Sequence, residues 1–325
     1  MRVVVTGGAG FIGANLCSHL GAAAEVDVVV ALDDLSTGSR ANLDGGPAEL
    51  VEGSILDRGL LDDVVRGADA VVHLAARPSV PRSLEDPMAT HTVNATGTLE
   101  VLEAVRRAGV PQIIVASSSS VYGASAELPN SESLCTRPLS PYAASKLATE
   151  SYALAHAHAF GIGVLALRFF NVFGPLQAAG HAYAAVIPTF IDAALRGEPL
   201  PVYGDGGQTR DFTYVGSVCS VLTSAVLAGT RHDQPVNLAF GSRVSLLDLI
   251  AILEQLLSTP LEREHRPARR GDIRDSQADT ACLRSLFPGL EPVDLADGLR
   301  ATIAWFRSGR AGENETHSAL GVRRP

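Results

Sequence analysis

Arg2-Val3-Val4-Val5-Thr6-Gly7-Gly8-Ala9-Gly10-Phe11-Ile12-Gly13, close to the amino terminus, decides how the rest of the chain is read. Arg2–Val5 is a short β-branched run of the kind that forms a buried parallel strand. Three glycines at 7, 10 and 13 follow, and then a helical pattern through Leu16 and Leu20. This is strand, glycine turn, helix. The spacing is one residue wider than G-x-G-x-x-G, but the physics is shared. Glycine allows the tight turn, lets backbone N–H groups approach a pyrophosphate, and brings helix and strand close at the positive helix end. A glycine triplet alone also fits an ordinary strand–helix connection, so the context has to decide.

Working outward, Val26–Leu32 reads as a second buried strand that ends at Asp33-Asp34, about 20 residues beyond Gly13. A carboxylate there is placed to meet adenosine ribose hydroxyls. It would repel a 2′-phosphate, and no arginine follows directly, so NAD is expected rather than NADP. The alternation continues. Strands are expected at Leu50–Glu52, Ala70–Leu74, Gln112–Ser117 and Val164–Arg168. Helices are expected at Leu56–Val65, Thr90–Arg107 and Pro141–Phe160. Such alternation implies an α/β fold, a Rossmann-type doubly wound parallel sheet. Ligands of such sheets bind beyond the carboxyl ends of the strands. Gly7–Gly13, Asp33, Ala75-Ala76, Ser118 and Asn171 all fall there. After Phe173-Gly174-Pro175 the pattern changes to Val186–Leu195 (helix), Leu200–Tyr203 (strand), Val236–Leu238 (strand), Leu246–Leu257 (helix with a Ser245 cap) and Leu295–Phe306 (helix). The expected organisation is a cofactor domain over 1–173, to which segments near 211–241 return, a smaller α/β lobe over 174–306, and a tail over 307–325.

Ser140-Pro141-Tyr142-Ala143-Ala144-Ser145-Lys146 carries the chemistry. Ser140 suits an N-cap and Pro141 the first helical position. Tyr142 and Lys146 then share one helical face. An ammonium beside a phenol favours the phenolate, so the spacing predicts a Tyr142 lowered toward neutrality and able to act as a base. Lys146 is the only lysine in the chain; the other 25 of 26 basic Lys and Arg residues are arginine. A compact point charge is retained here and nowhere else, which a solvated helix position would not require.

The remaining composition excludes other classes. Net charge is −9, with one short basic region at Arg263–Arg274, so no nucleic-acid partner is expected. The four cysteines form no C-x-x-C pair, so neither a metal site nor a disulfide framework is implied. No apolar run approaches a membrane span, and Met1-Arg2 leads into a strand rather than a signal-peptide core. The cytoplasm is the expected compartment.

Eight stretches together resemble the extended short-chain dehydrogenases/reductases, and within them the NAD-dependent nucleotide-sugar 4-epimerases. They are Thr6–Gly13, Asp33–Gly38, His73-Leu-Ala-Ala76, Ser118–Gly123, Tyr142–Lys146, Arg168–Pro175, Gly204–Phe212 and Arg269–Ser276. The resemblance covers about residues 1–306. It implies Ser118, Tyr142 and Lys146 as catalytic residues, with Ser119 and Ser120 as competing hydroxyls. It implies NAD against Gly7, Gly10, Phe11, Ile12, Gly13, Asp33, Asp34, Ser36, Thr37, Gly38, Ser54, Ile55, Leu74, Ala75, Ala76, Asn94, Ser117, Tyr142 and Lys146. It implies a UDP-sugar against Ser79, Ser118, Asn171, Gln177, Val186, Tyr203, Arg210, Arg269, Asp272 and Ser276. Ser54 stands where some epimerases carry an aspartate for the adenine amino group; Asp57 is the substitute to test.

The implied reaction is inversion at C4 through a 4-keto sugar. The sister dehydratases and decarboxylases carry acids after the position of Ser118, where this chain has Ser119 and Ser120. A non-catalytic NAD-binding regulator would be expected to have lost Tyr142 or Lys146. A small Ser276 predicts tolerance of N-acetylhexosamines, with UDP-glucose/UDP-galactose next and UDP-glucuronate as an alternative. A homodimer through the Thr90–Arg107 and Pro141–Phe160 helices is expected from the family.

Overall fold

The computed structural model describes residues 1–125, 127–179, 184–268 and 273–319. The strands are β1 (Arg2–Thr6), β2 (Val28–Asp33), β3 (Ala48–Glu52), β4 (Ala70–His73), β5 (Gln112–Ser118), β6 (Gly163–Phe169), β7 (Asn171–Phe173), β8 (Leu200–Tyr203), β9 (Thr209–Arg210), β10 (Phe212–Tyr214), β11 (Val236–Leu238), β12 (Val244–Ser245) and β13 (Arg263–Arg266). The helices are α1 (Phe11–Gly21), α2 (Arg58–Val65), α3 (Val80–Glu85), α4 (Pro87–His91), α5 (Gly97–Ala108), α6 (Pro141–Phe160), α7 (Val186–Arg196), α8 (Val215–Ala228), α9 (Leu246–Leu257), α10 (Ala281–Leu286) and α11 (Leu295–Ala319).

Seven strands form one parallel sheet in the order β11-β6-β5-β4-β1-β2-β3. The order reverses between β1 and β4, and a crevice at such a switch point is where doubly wound sheets bind ligands. The central strands carry Val3–Val5, Val71-Val72, Ile113–Val115 and Val164–Leu167, all buried on both faces. One face of the sheet packs against α1 and α8, the other against α2, α5 and α6. A separate core of Ile187, Phe190, Leu200, Leu249, Ile250, Leu253 and Leu299 lies among α7, α9 and α11.

Helices α3, α8 and α10 lie where the sequence reading placed none, and two expected helices differ in extent. The segment expected as one helix over 90–107 begins at Pro87, capped by Asp86, and widens to a π-turn at Thr92–Thr96 before α5. The Asn94 carbonyl accepts from the hydroxyls of Thr98, one turn on, at 2.5 Å and of Thr149, on α6, at 3.2 Å, which competes with the regular ladder. The last helix does not stop at Phe306. It continues to Ala319, so the expected tail is helical over most of its length. No helix among the described residues is long and apolar enough to cross a membrane.

Candidate active site

The glycine turn is built as its composition requires. Gly7 sits at φ +71°, and a Cβ there would come within 2.7 Å of the Ala75 nitrogen, across the β1/β4 switch. At Gly13 a Cβ would come within 2.1 Å of the Gly7 carbonyl oxygen. Gly8, which the spacing argument passed over, is as constrained: its Cβ would meet Ala31 Cβ at 2.5 Å. Gly10 caps α1 without a side chain, so the N–H groups of Phe11, Ile12 and Gly13 open a helix whose first turn has no side-chain partner.

Asp33 holds this turn. One carboxylate oxygen accepts from Ala9 N–H at 2.9 Å and the other from Leu35 N–H at 2.8 Å. Burial pushes the carboxyl up, while those two amides pull it back toward the ionised form. Asp34 accepts from the backbone and hydroxyl of Ser36, and Gly38 approaches the Ala9 carbonyl so closely that a Cβ would not fit.

A cavity of about 480 Å³ opens beyond these strand ends. Of the residues expected to meet the cofactor, Gly7, Asp33, Asp34, Ser36, Thr37, Ser54, Ile55, Ala75 and Ala76 line it. Arg77, Arg82 and Val93 also line it and were not foreseen. Asp57, named as a substitute for the adenine contact, does not line this cavity; its Oδ1 caps α2 by accepting from Leu60 N–H at 3.1 Å. Leu74 packs against the core, and its N–H continues the ladder to Thr6. Asn94 is buried and reaches the wall through the backbone of Arg77, accepting from its N–H at 2.7 Å and donating to its carbonyl at 3.2 Å.

A second cavity of about 570 Å³ is lined by Ser79, Asn171, Gln177, Val186, Tyr203 and Arg210, all expected to meet the substrate. Arg266 lines it as well, with its guanidinium 6.0 Å from the centre of the Tyr203 ring. Ser79, at φ +94°, caps α3 in a backbone conformation that side chains rarely adopt. The Gln177 Oε1 is buried with no protein partner, while its amide donates to the Val172 carbonyl. Ser276 is buried beside Thr209 and lines neither cavity. Arg269 and Asp272 lie outside the described residues.

Sheet order puts the catalytic candidates between these cavities. The exit of β4 lines the first and the residues after β6 line the second; β5 lies between them and ends at Ser118. Opposite it, α6 starts as expected, with Ser140 Oγ accepting from Ala143 N–H at 3.1 Å. Lys146 is buried and donates to the Ala116 carbonyl at 2.8 Å. Burial lowers its pKa to about 8.

The sequence expectation for Tyr142 is corrected here. Its phenol is pushed up by burial, and the group that pulls it back is the Ser118 hydroxyl rather than Lys146. The serine cluster also resolves. Ser118 Oγ accepts from Ser120 Oγ at 2.9 Å and Ser120 N–H at 3.2 Å, which leaves the Ser118 proton for Tyr142. Ser117 turns away, donating to Glu150 at 2.7 Å.

The NAD dependent epimerase/dehydratase family is matched over residues 3–239. The chain belongs to this family. A UDP-glucose 4-epimerase of Mycolicibacterium smegmatis is 36% identical over 314 residues, covering 95% of this chain and 99% of that one. A dTDP-glucose 4,6-dehydratase of Streptomyces niveus is 35% identical, covering 96% and 94%. The solved UDP-N-acetylglucosamine 4-epimerase from Methanobrevibacter ruminantium M1, in complex with UDP-N-acetylmuramic acid, superposes with a TM-score of 0.89 at 34% identity, covering 95% and 98%. As a member of the epimerase/dehydratase family the chain is an NAD-dependent enzyme. The glycine cradle, the open helix end and Asp33 are the parts of this fold that fit that cofactor.

Proposed function

We propose that this enzyme inverts C4 of a UDP-hexose or UDP-N-acetylhexosamine. The observation that carries the reading is the buried Tyr142 phenol beside Ser118 at the end of β5, between a cofactor cavity and a second cavity that carries Arg210 and Arg266. The glycine turn, Asp33, Ala75 and Ala76 would hold NAD⁺, which would supply a hydride acceptor regenerated within one turnover. Tyr142 takes the 4-OH proton as C4 is oxidised. With the sugar bound, Ser118 directs its one proton to that oxygen instead of to Tyr142, and the Ser120 hydroxyl, by donating to Ser118 Oγ, leaves it free to do so. Lys146, held by the Ala116 carbonyl, keeps a cation behind the base. Arg210 and Arg266 face the diphosphate, for which the planar guanidinium is suited. Anchored there, the 4-keto sugar turns over and accepts hydride on its other face.

A dehydratase step needs an acid beside Ser118. Ser119 and Ser120 stand there, and the Ser120 hydroxyl is engaged with Ser118. The likeness to an N-acetylglucosamine epimerase favours UDP-N-acetylhexosamines, with UDP-glucose next and UDP-glucuronate third; Ser276, which lines neither cavity, adds no support. Because β11 pairs with β6 and α8 packs on α1, we assign the stretch near 211–241 to the cofactor domain. Exposed Tyr152 and Phe160 on α6 support a homodimer through this helix.

The test is incubation without added NAD with UDP-N-acetylglucosamine and, separately, UDP-glucose, resolving the C4 epimers by proton NMR. A galacto product from either is expected. No product from either, with NAD⁺ then added, overturns the reading.

A further inference from the structure

Three consecutive residues of β5 are each held by one turn of α6. Lys146 donates to the Ala116 carbonyl at 2.8 Å, Ser117 donates to Glu150 at 2.7 Å, and the Ser118 hydroxyl lies beside the Tyr142 phenol and pulls its pKa back down. Tyr142, Lys146 and Glu150 are four residues apart in turn and share one helical face. Glu150 has a second partner. Arg168 donates to it twice, from Nε at 3.0 Å and Nη2 at 2.7 Å, and both side chains are almost fully buried (3% and 4% exposed). Arg168 is the β6 residue paired in register with Ser117. Its guanidinium lies 4.8 Å from the centre of the Tyr122 ring, just beyond the serine loop.

An ion pair this deep is a poor source of net stability. Taking both charges out of water offsets most of the attraction, and apolar residues of similar volume often serve as well. What the pair does provide is a fixed direction. The carboxylate has bidentate guanidinium on one side and a single hydroxyl on the other, so Ser117 is held at one height against α6. Ser117 lies between the residue that receives Lys146 and the residue beside Tyr142.

We propose that Glu150 is a positioning residue: with Arg168 as its anchor it sets the register of β5 against α6, and so the placement of Ser118 and Lys146 around Tyr142. This rests on the reading of Tyr142 as the base. Nothing in the Glu150 side chain reaches the cavities; it acts through Ser117.

Two variants test it. Ser117→Ala removes the link and keeps the ion pair. Glu150→Leu with Arg168→Met removes the pair without leaving a buried charge. In both, kcat for C4 inversion is expected to fall by about ten- to a hundred-fold, the cost of a sub-ångström to ångström misplacement. KM, bound NAD and, for Ser117→Ala, Tm stay near those of the parent. The Tyr142 phenol titration, read by ultraviolet difference against Tyr142→Phe, should move in both. A wild-type kcat and an unmoved titration in folded, NAD-loaded Ser117→Ala protein would overturn the inference, as would a loss confined to Tm. A moved titration in a protein that turns over no UDP-sugar would sink the proposed function and leave the positioning role standing.

Discussion

Lys146 Nζ lies 2.8 Å from the carbonyl oxygen of Ala116, inside the protein, and that carbonyl is its hydrogen-bond partner from the sheet. The site therefore keeps a buried cation against its solvation preference. Its folded pKa, about 8, is below the ordinary lysine value, so the unfolded chain binds the proton more tightly. The penalty is fully present below pH 8 and lifts as pH rises toward 10.5. By linkage it amounts to about 3 kcal/mol at neutral pH. Lys146→Met should be inactive yet at least as resistant to urea as the parent when both are freed of NAD at pH 7. Lys146→Arg keeps the charge but brings a wide fork into a space filled by a point charge, and turnover should fall by orders of magnitude. A near-normal rate for the arginine variant would refute this account of why the lone lysine is here.

His73 shows the same physics with a visible pH signature. It bridges Thr6 at 2.7 Å and Thr98 at 3.0 Å, tying the glycine turn to α5. Burial, aided by the Lys146 charge, lowers its pKa to about 3, so it is neutral in the fold. The unfolded chain protonates it near 6.5. Its contribution is thus intact above pH 6.5 and is lost progressively as pH falls from 6.5 toward 3. At pH 5 the loss is about 2 kcal/mol. Urea titrations of the parent and His73→Gln at pH 7 and pH 5 should show a smaller drop for the variant; equal drops would assign the acid sensitivity elsewhere.

The sheet was legible because parallel strands buried on both faces must be apolar runs, as at Val3–Val5 and Ile113–Val115. The start of α6 was legible because Ser140-Pro141 leaves little alternative. What was not legible depended on contacts between distant segments. The π-turn at Thr92–Thr96 exists because Thr149, on another helix, bonds the Asn94 carbonyl. Arg82, on α3, and Arg266, on β13, reach the cavities only through tertiary packing of those elements, and one arginine among 25 carries no local mark. The Tyr142 environment misled because helical spacing puts Lys146 near it without saying where the ammonium points; the β5 carbonyl receives it. Glu150 carries no mark in the sequence, since its partner is 18 residues away on β6.

Ser276 tests the choice of sugar. It is small, buried, and held by its N–H on the Thr209 carbonyl at 3.2 Å, so a larger side chain there must displace whatever faces it. Ser276 itself lines neither cavity, so Ser276→Tyr can act on the sugar only by displacing the Thr209–Arg210 strand it is bonded to; by that route it should lower turnover of UDP-N-acetylglucosamine by about tenfold or more, with less effect on UDP-glucose. The ratio of the two kcat/KM values is the measurement. An unchanged ratio would remove Ser276 from the determinants of specificity.

The three glycines read as one motif are predicted to differ in what they tolerate. At Gly13 an added Cβ would sit 2.1 Å from the Gly7 carbonyl oxygen and 2.8 Å from Gly8 Cα. Both are backbone atoms of the turn, so the turn itself has to move. At Gly10 the nearest atom to an added Cβ is the Gly7 carbonyl oxygen at 3.2 Å, which a few tenths of an ångström relieves. Gly13→Ala should therefore purify with little bound NAD and a lower Tm, with a cost on the order of 2 kcal/mol or more from strain at a packed turn. Gly10→Ala should retain most of its NAD. Bound cofactor is measured by absorbance after acid release, and stability by thermal unfolding of NAD-free protein, so that loss of ligand and loss of fold are read separately. If the two variants lost NAD to the same degree, close backbone approach at Gly13 would not be what the turn requires, and the helix end alone would have to account for cofactor binding.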